Sequence, residues 1–334
     1  MTIKRSTMQL KMLGLPVINS LDDFSKLTHL SKRSVFRFSS YSEHFYREYE
    51  LPKKRGGVRV ISQPNRSLKA GQAWILRNIL DRLHVSAVCK GFEKGKNILD
   101  NARPHQGANV ILNLDLENFF PSVKAEQVCS IFKTIGYNPI IAGIFTSMCT
   151  YNGKLPQGAP TSPKLSNLTC LRLDNRLQGY VGKKGIVYTR YADDLSFSSF
   201  SQGRILSVLP MIKKIIKEEG FEINGSKTRI WGPSRSKKVT GLVICENKAG
   251  IGRKRLHEIR AKIHKLCFLN NAEDHRIEIE HVKGWLAFIK SVDEDRWKIL
   301  KPYISSLKVK YPKGEAIGSL FKFMDSQKLK LPSK

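Results

Sequence analysis

The sequence has few acidic residues, no long apolar run and no clustered cysteines. Its 28 Asp and Glu stand against 58 Lys and Arg, a formal net charge of +30 at pH 7, which indicates a polyanionic partner. Charge alone leaves a ribosomal or membrane-surface basic protein as an alternative. No stretch approaches the roughly 20 apolar residues that cross a bilayer, and Met1 to Gln9 lacks the apolar core of a signal peptide. We therefore expect a cytoplasmic protein with no membrane partner.

The cysteines argue against a disulfide framework and against a structural zinc site. All six occur singly inside apolar segments, and none forms a CxxC pair or a Cys/His cluster with zinc spacing. Buried, reduced thiols fit this arrangement best. Repeats with a period of roughly 20 to 50 residues are also absent, and the one biased segment is a lysine-rich tail, Lys322 to Lys334, that we expect to be frayed.

Hydrophobic periodicity predicts a folded chain of mixed α and β structure. Its 334 residues, 41% of them apolar, can bury a core divided between two or three subdomains. Helical spacing predicts helices at 10–49, 69–88, 123–137, 164–181 and 205–220, and again in the basic sequence after Gly252. Apolar or alternating runs predict strands at 109–116 and 239–244 and hairpins at 51–64 and 185–199.

The hairpin predicted at 51–64 has a basic Gly-Gly turn, from which Lys53, Lys54, Arg55 and Arg59 would project. A basic turn of this kind is most often simply solvated. Arg59, however, alternates with two valines, so its guanidinium is well placed to reach a phosphate from one face of the strand.

Three acidic residues lie in strand context, where an unpaired carboxylate is costly to bury. Asp115 interrupts the apolar strand at 109–116, and Asp193 and Asp194 stand at the tip of the hairpin at 185–199. An Asp-Asp pair in a turn is usually only a solvated tip. A third acid on a separate strand favours a site for two divalent cations about 4 Å apart, since these need oxygen ligands from several directions.

These acids lie within a series of motifs that resembles the reverse transcriptase family. Two of these motifs resemble the catalytic motifs of that family. One is the text YADD at 191–194, and the other is NLDLENFFPSV, in which the strand acid is followed by two aromatics. Four further segments also match the family's motifs, and they occur in the family's order. They are VRVISQP at 58–64, LPQGAPTSPKLSN at 155–167, NGSKTRI at 224–230 and KVTGLVI at 238–244.

The resemblance implies an α+β fold of the right-hand polymerase type, with fingers, a palm built on an antiparallel sheet, and a helical thumb. It implies N-terminal helices and fingers at 1–110, a palm with inserted fingers helices at 111–245, and a basic thumb with the C-terminal tail at 246–334.

Two shorter elements narrow the resemblance to the bacterial retron branch. An NAxxH element, Asn101 to His105, stands ahead of the first catalytic motif, and a VTG element, Val239 to Gly241, lies at the position of the primer grip. NAxxH alone is weak, because His105 could be an ordinary buried histidine. The resemblance runs from about Leu13 to Tyr311.

Within this resemblance, Asp115, Asp193 and Asp194 are implied to be catalytic and, with the backbone oxygen of Leu116, to bind two Mg²⁺ ions or Mn²⁺. An aromatic five residues after Asp115 is implied to exclude a ribose 2'-OH, so that the product is DNA. We expect one of the two phenylalanines at 119 and 120 to be core. The implied nucleotide-binding residues are Arg59, Phe120, Gln157, Gly158 and Lys227.

A second implied set contacts nucleic acid and lies in the NAxxH and VTG elements and the basic segment after Gly252. Aromatic residues of that segment, such as Trp285 and Phe288, have helical spacing and are expected to be core. The implied nucleic-acid-binding residues are Asn101, His105, Val239, Thr240, Gly241, Arg253, Arg255 and Lys262.

The resemblance finally implies an RNA-directed DNA polymerase that takes dNTPs and copies its own structured noncoding RNA. Synthesis would start from a guanosine 2'-OH and give branched RNA-DNA, called msDNA. Such enzymes act in antiphage defence with a toxic effector, and their assemblies can be of higher order. Because the chain has no room for an RNase H domain, a host RNase H is an expected partner. The alternatives are a group II intron maturase, an abortive-infection enzyme, or an RNA-binding scaffold with a vestigial site.

Overall fold

The computed structural model describes residues 2–53, 56–269 and 273–326. Lys54 and Arg55 of the basic turn, and the predicted tail from residue 327 onward, lie outside the described residues. The chain divides into two compact units, one made of Met1–Asn97 with Asn109–Gly232 and the other of Ile98–Ala108 with Pro233–Lys334.

Helices supply most of the regular structure. In chain order they are α1 Thr2–Met12, α2 Leu21–Thr28, α3 Lys32–Ser40, α4 Arg66–Asn78, α5 Ile98–Ala102, α6 Phe119–Ser122, α7 Ala125–Thr134, α8 Pro139–Cys149, α9 Ser162–Thr169, α10 Leu171–Gly182, α11 Gln202–Glu218, α12 Gly252–Leu266, α13 Arg276–Val292, α14 Glu294–Lys310 and α15 Glu315–Ser326. None of the helices in the described residues is both long and apolar enough to span a membrane.

In the part of the chain that the structure describes, the strands form three small antiparallel sheets. In chain order they are β1 Tyr46–Pro52, β2 Val58–Pro64, β3 Val110–Asp115, β4 Val187–Tyr191, β5 Asp194–Ser199, β6 Arg229–Trp231, β7 Lys238–Val239, β8 Leu242–Ile244 and β9 Ala249–Gly250. The sheets have the orders β1-β2, β4-β5-β3-β6 and β7-β8-β9.

The four-stranded sheet is the centre of the first unit. Five of the six β3 residues are buried, since β3 lies between β5 and β6, and this explains why its sequence is apolar on both faces. Helix α8 supplies Phe145 to the same core, where the ring packs 5.1 Å from Phe24, 5.3 Å from Phe132 and 5.1 Å from Tyr137. The predicted strand at 109–116 and hairpin at 185–199 are confirmed.

The hairpin at 51–64 is confirmed but begins earlier than predicted. Strand β1 starts at Tyr46, inside the segment expected to be helical, and pairs with β2 over its whole length, so that Leu51 faces Arg59 and Tyr46 faces Pro64. Pairing with β2 therefore overrides the local helical spacing. Helix α4 also ends before the predicted limit, and the helix predicted at 164–181 is divided at Cys170 into α9 and α10.

The second unit combines the β7-β8-β9 sheet with α5 and with helices α12 to α15. The single strand predicted at 239–244 is a hairpin instead, because Thr240 and Gly241 have φ values of 45° and 85° and turn the chain between β7 and β8. The start of the predicted frayed tail is ordered, since α15 runs to Ser326 with Ile317, Leu320 and Met324 buried.

Candidate active site

The YADD text forms the tight connection between β4 and β5. Tyr191 pairs with Asp194 across the hairpin, and Ala192 takes the left-handed conformation, with φ 58°, that so short a turn requires. Asp194 is also the register partner of Asp115 on β3, and the amide of Leu116 donates to the carbonyl of Asp193 at 3.0 Å. The three predicted acids therefore meet at one end of the central sheet.

The two carboxylates of the turn lie in an environment that disfavours their charge. Asp115 is only 7% exposed. Burial and the Asp115 charge raise the pKa of Asp193. Burial, followed by the charges of Asp193 and Asp115, raises the pKa of Asp194 to about 6, although the Asp194 residue keeps contact with solvent. Like charges held this close are stabilised by a cation.

Lys227 supplies one such cation. Its Nζ lies 2.8 Å from Oδ1 and 3.0 Å from Oδ2 of Asp115. The lysine ends a short 3-10 turn, Gly225–Lys227, and this turn is attached to β3 because the Asn224 amide donates to the Asp115 carbonyl at 2.8 Å. The Lys227 side chain is 52% exposed, so its ammonium can exchange with other cations.

The donor set suits a hard divalent cation. It consists of carboxylate oxygens, which Mg²⁺ and Mn²⁺ prefer. Burial and then the neighbouring carboxylate charges raise the pKa values of Asp193 and Asp194, and a bound cation would offset both causes. Within residues 2–53, 56–269 and 273–326, however, no three His, Cys, Asp or Glu side chains already stand together as a ligand cluster. The carboxylates would have to converge further on a cation.

A cavity of about 560 Å³ opens beside these acids. Asp115, Leu116 and Asp193 line it, together with all five predicted nucleotide-binding residues, whereas Asp194 does not. The positive charge of Arg59 acts to lower the pKa of Asp193. A pocket with carboxylates at one end and a guanidinium at another can accommodate a polyphosphate together with its counter-ions.

Comparison with known proteins agrees with this geometry. The family model described as "Reverse transcriptase (RNA-dependent DNA polymerase)" matches residues 51–244. Over 92% of this chain and 95% of the relative, 50% of residues are identical to the "Retron Ec86 reverse transcriptase" of Escherichia coli. This chain belongs to the retron reverse transcriptases. It is an RNA-directed DNA polymerase, and the α+β polymerase fold predicted from the sequence is confirmed.

More distant proteins are also similar. The "Retron Mx65 reverse transcriptase" of Myxococcus xanthus is 34% identical over 86% of this chain and 72% of the relative. Among solved structures, the foamy viral protease-reverse transcriptase in complex with double-stranded DNA matches with a TM-score of 0.45 and 16% identity. That match covers 84% of this chain and 44% of the solved chain.

Two phenylalanines of this reverse transcriptase divide between core and cavity. Phe119 is 4% exposed and stacks on Phe221, with ring centroids 5.9 Å apart. Phe120 is half-buried and lines the cavity. The chain enters this segment through Asn118 in the left-handed conformation, with φ 46°, which turns the second ring of the pair toward the cavity.

Gln157 and Gly158 attach the cavity wall to the β1-β2 hairpin. The Ser62 amide donates to the Gln157 carbonyl at 2.8 Å. Gly158 has φ 132°, and a Cβ there would lie 2.8 Å from the Ser62 carbonyl oxygen. Only glycine fits this approach, so the structure shows a packing role for Gly158 against the hairpin that carries Arg59.

Sequence reasoning missed the buried ion pair beneath the YADD turn. Arg190 binds both oxygens of Asp174, at 2.8 and 2.7 Å, and both side chains are fully buried. Arg190 also donates to the Ala192 carbonyl at 3.2 Å. An arginine in the strand that enters the YADD turn was the available signal, but its partner lies on α10, which the motif does not include.

A neighbouring segment, residues 88–93, was also missed. It runs beside β4, where the Lys90 amide donates to the Arg190 carbonyl at 2.8 Å and the Arg190 amide donates to the Val88 carbonyl at 3.0 Å. A Cβ on Gly91 would lie 2.5 Å from the Ala192 nitrogen, so this glycine allows the segment to pass against the catalytic turn. Phe92, the next residue, lines the cavity.

In the second unit, the NAxxH and VTG elements contact each other. The Thr240 hydroxyl donates to the Ile98 carbonyl at 3.4 Å, and the Gly107 amide donates to the Cys245 carbonyl at 3.1 Å. Asn101 and His105 are both fully buried, and burial lowers the pKa of the His105 imidazole to about 4. The two hallmarks of the retron branch thus form one structural element.

The basic residues of α12 are exposed, as a surface for phosphates requires. Arg253 and Lys262 are open to solvent, and Lys262 lines a cavity of about 190 Å³ with Lys265, His275 and His281. The Arg255 guanidinium lies 4.8 Å from the ring centre of Trp285. Trp285 is half-buried rather than core, because one side of its ring packs against this guanidinium, while Phe288 contacts it edge-on at 5.6 Å.

Proposed function

We propose that this reverse transcriptase copies a structured noncoding RNA of its own retron, starts DNA synthesis from the 2'-OH of a guanosine, and keeps the branched msDNA product. The observation that carries the catalytic part is the single cavity that unites Asp115 and Asp193 with Arg59, Phe120 and Gln157. The retron part rests on 50% identity to the Retron Ec86 reverse transcriptase over nearly the full length of both chains.

Asp115, Asp193 and Asp194, with the backbone oxygen of Leu116, would hold two Mg²⁺ ions, and Mn²⁺ would satisfy the same donors. When bound, such ions activate the attacking hydroxyl and neutralise the departing pyrophosphate. The attacking hydroxyl would lose its proton to water and its oxygen would bond to the α-phosphorus of a dNTP, while the bond from that phosphorus to the oxygen bridging to the β-phosphate breaks and pyrophosphate leaves. Asp193 and Asp194 would stay ionised because bound cations would offset their raised pKa values.

Basic residues at the cavity would orient the triphosphate. The guanidinium of Arg59 can bind two phosphate oxygens at once, and β2 presents it on an exposed position of the hairpin. Lys227 would leave Asp115 when a divalent cation takes its place and would then face the leaving pyrophosphate. From there its ammonium can donate a proton to the departing oxygen.

The walls of the cavity would select the sugar. Phe120 projects where the ribose of a bound nucleotide would lie, and its ring leaves no room for a 2'-OH. Gln157 would orient the nucleotide, while Gly158 holds this wall against the hairpin. The same wall admits dNTPs and rejects ribonucleotides, so DNA is the product.

The second unit would recognise the RNA by its phosphates and its shape. Arg253, Arg255 and Lys262 would bind phosphates, with Arg255 held by Trp285. Val239, Thr240 and Gly241 form the hairpin that would approach the nucleic acid. Asn101 and His105, being buried, would act by supporting this hairpin. We assign residues 1–110 to the fingers, 111–245 to the palm and 246–334 to the thumb and tail.

The biological setting we propose is antiphage defence in the cytoplasm, in which the enzyme and its msDNA restrain a toxic effector encoded nearby. A host RNase H would remove the copied template. These partners follow from the retron family. The assembly with msDNA and effector can be of higher order.

Replacement of the turn acids tests the catalytic assignment. The variant Asp193→Asn with Asp194→Asn, expressed with the cognate noncoding RNA, is expected to lose at least ~10³-fold of msDNA synthesis, because the charge that holds the cations is removed. RNA co-purification should be unchanged. The product is measured on a denaturing gel before and after treatment with a 2'-5' debranching enzyme.

The exposed acid of a surface ion pair provides the matched control. Asp22, paired with Lys32 at 2.6 Å, lies on α2, and Asp22→Asn should leave msDNA yield unchanged. DNA synthesis that survives the double replacement would show that the metal assignment is wrong. Linear DNA from the unchanged enzyme, insensitive to debranching, would contradict priming from a 2'-OH while leaving the polymerase assignment intact.

A further inference from the structure

We propose that Phe92 is a positioning residue that holds the Phe120 ring in place and thereby sets how strictly the enzyme rejects ribonucleotides. This inference rests on the proposed role of Phe120 at the nucleotide sugar. The two rings both line the cavity, with centroids 5.9 Å apart and planes inclined by 32°.

The backbone of Phe92 is held in a strained conformation. Its φ is 60°, in the left-handed region that bulky side chains rarely adopt, at a cost on the order of 1–3 kcal/mol. The side chain nevertheless remains 44% exposed, so burial of the ring does not offset that strain. A large apolar side chain kept strained and exposed at a ligand cavity indicates a functional constraint.

Side chains of α9 fix the residues on both sides of Phe92. The Asn167 amide donates to the Gly91 carbonyl at 2.8 Å and to Oε1 of Glu93 at 3.0 Å. Lys164 binds Oε2 of Glu93 at 2.8 Å, with only 8% and 17% of the two side chains exposed. Because both neighbours are bound to one helix, the backbone between them has no freedom to relax.

The same segment is fixed to the catalytic hairpin. Lys90 and Val88 exchange backbone hydrogen bonds with Arg190, and the close approach of Gly91 to Ala192 leaves no space for a side chain. Phe92 is therefore placed relative to Asp193 by short, buried connections. A ring supported in this way can limit the movement of the neighbouring Phe120 ring.

Phe120 contacts two other rings. The Phe119 ring is 5.5 Å away and belongs to the core. The Phe92 ring is 5.9 Å away and is exposed at the cavity. Since Phe119 cannot move without disturbing the core, loss of the Phe92 ring would free Phe120 to swing toward the space that Phe92 vacates. A displaced Phe120 would open room for a ribose 2'-OH.

Single-nucleotide extension by the full chain measures this effect. A DNA primer annealed to an RNA template with cytosine next is extended with dGTP or with GTP, which differ only in the 2'-OH, and the ratio of kcat/KM values gives the discrimination. The variant Phe92→Asn removes the ring and suits the left-handed backbone, so it should fold with no loss of melting temperature. We expect roughly tenfold lower discrimination, the size of one lost steric contact, with kcat/KM for dGTP lowered less than about threefold.

Three further variants complete the experiment. Phe92→Tyr retains the ring and should restore discrimination, and Phe36→Ala removes a 54% exposed ring on α3 and should change nothing. Phe120→Ala removes the ring that is proposed to exclude the 2'-OH and serves as the reference. If this variant leaves discrimination unchanged, the proposed role of Phe120 is wrong, and so is the role of Phe92 that depends on it.

If Phe120→Ala lowers discrimination and Phe92→Asn does not, the proposed role of Phe120 is supported and the role of Phe92 is overturned. Equal losses for dGTP and GTP in Phe92→Asn would also overturn it, because they would show that the ring stacks on a base instead.

Discussion

Two ion pairs in the first unit each join a basic residue to an aspartate, and they differ in nearly every physical respect. Arg190 and Asp174 are both 0% exposed, and the Tyr188 hydroxyl donates to the same carboxylate at 2.9 Å. The remaining donors of Arg190 reach Asn167 at 3.0 Å and the Ala192 carbonyl at 3.2 Å. This pair is a closed network that satisfies its charges internally.

The pair of Lys227 and Asp115 is open. The lysine side chain is 52% exposed and the aspartate side chain 11%, and the ammonium sits on a flexible stem that carries a point charge. Nearby, Asp193 and Asp194 have raised pKa values. The charges beneath the YADD turn are therefore paired and buried, whereas the pair at the cavity is open to solvent and exchangeable.

The comparison shows how one sheet can be rigid and reactive at the same time. A fixed pair positions the turn by holding Ala192 in its left-handed conformation, with φ 58°. An exchangeable pair keeps Asp115 in place until another cation arrives. Each pair can be broken separately, and the expected effects differ in size.

The largest effect is expected from the closed pair. Arg190→Met leaves Asp174 buried without its counter-charge and should lower the free energy of unfolding by about 3–5 kcal/mol. Urea unfolding followed by circular dichroism measures the loss. The double variant Arg190→Met with Asp174→Leu should recover most of the stability, since both charges are then absent.

Activity separates the two functions of Arg190. The double variant should remain a slow polymerase even when it is stable, because Ala192 has lost the donor that fixes the turn. Full activity in the double variant would show that the pair is structural only. A loss of under about 1 kcal/mol in Arg190→Met would contradict the closed network itself.

A smaller effect is expected from His105, a buried histidine whose charged form is disfavoured by burial. Burial lowers the pKa of His105 from its ordinary 6.5 to about 4. Below pH 6.5 the His105 side chain binds a proton in the unfolded chain but not in the folded chain. The free energy of unfolding therefore falls as the pH is lowered toward 4. The loss from this group should reach roughly 3 kcal/mol at pH 4 and vanish above pH 7.5.

Paired variants isolate this contribution. His105→Gln should be less stable than the unchanged chain at pH 7.5 yet lose less stability between pH 7 and pH 4. His257→Gln, which alters an exposed histidine of the same unit, should leave the slope unchanged. Parallel slopes for all three proteins would mean that His105 takes up its proton without hindrance in the folded state.

The convergence of the three acids could be predicted because it depends on short local patterns. Apolar strands interrupted by Asp115, and a hairpin with Asp193 and Asp194 at its tip, specify both the elements and the end of the sheet where they meet. The ring pair at 119 and 120 was expected to divide between core and site. The structure shows Phe119 in the core and Phe120 at the cavity.

The supporting residues could not be predicted because their partners are distant in sequence. Arg190 needs Asp174 from another element, and Phe92 depends on Asn167, which lies on α9. Nothing periodic marks the segment 88–93, and Gly91 is recognisable only from its distance to Ala192. Long-range pairing likewise placed Tyr46 in a strand and joined Ile98–Ala108 to the second unit.

The smallest change in stability, and the most informative one for catalysis, is expected from the open pair. Lys227→Met should alter the free energy of unfolding by under about 1 kcal/mol, since one partner is half-exposed and screened by solvent. The ammonium currently occupies both oxygens of Asp115 and lowers the pKa values of Asp193 and Asp194. Its removal makes the carboxylates better ligands.

The Mg²⁺ concentration that gives half-maximal DNA synthesis should therefore fall by roughly threefold. That factor corresponds to cation binding that is stronger by a few tenths of a kcal/mol at each carboxylate. The maximal rate should also fall, because the leaving pyrophosphate loses its proton donor. Lys32→Met, which breaks the exposed pair with Asp22, should change neither quantity. An unchanged or higher Mg²⁺ requirement in Lys227→Met would show that Lys227 and the divalent cation do not compete for Asp115, and the contrast between a fixed and an exchangeable pair would then rest on solvent exposure alone.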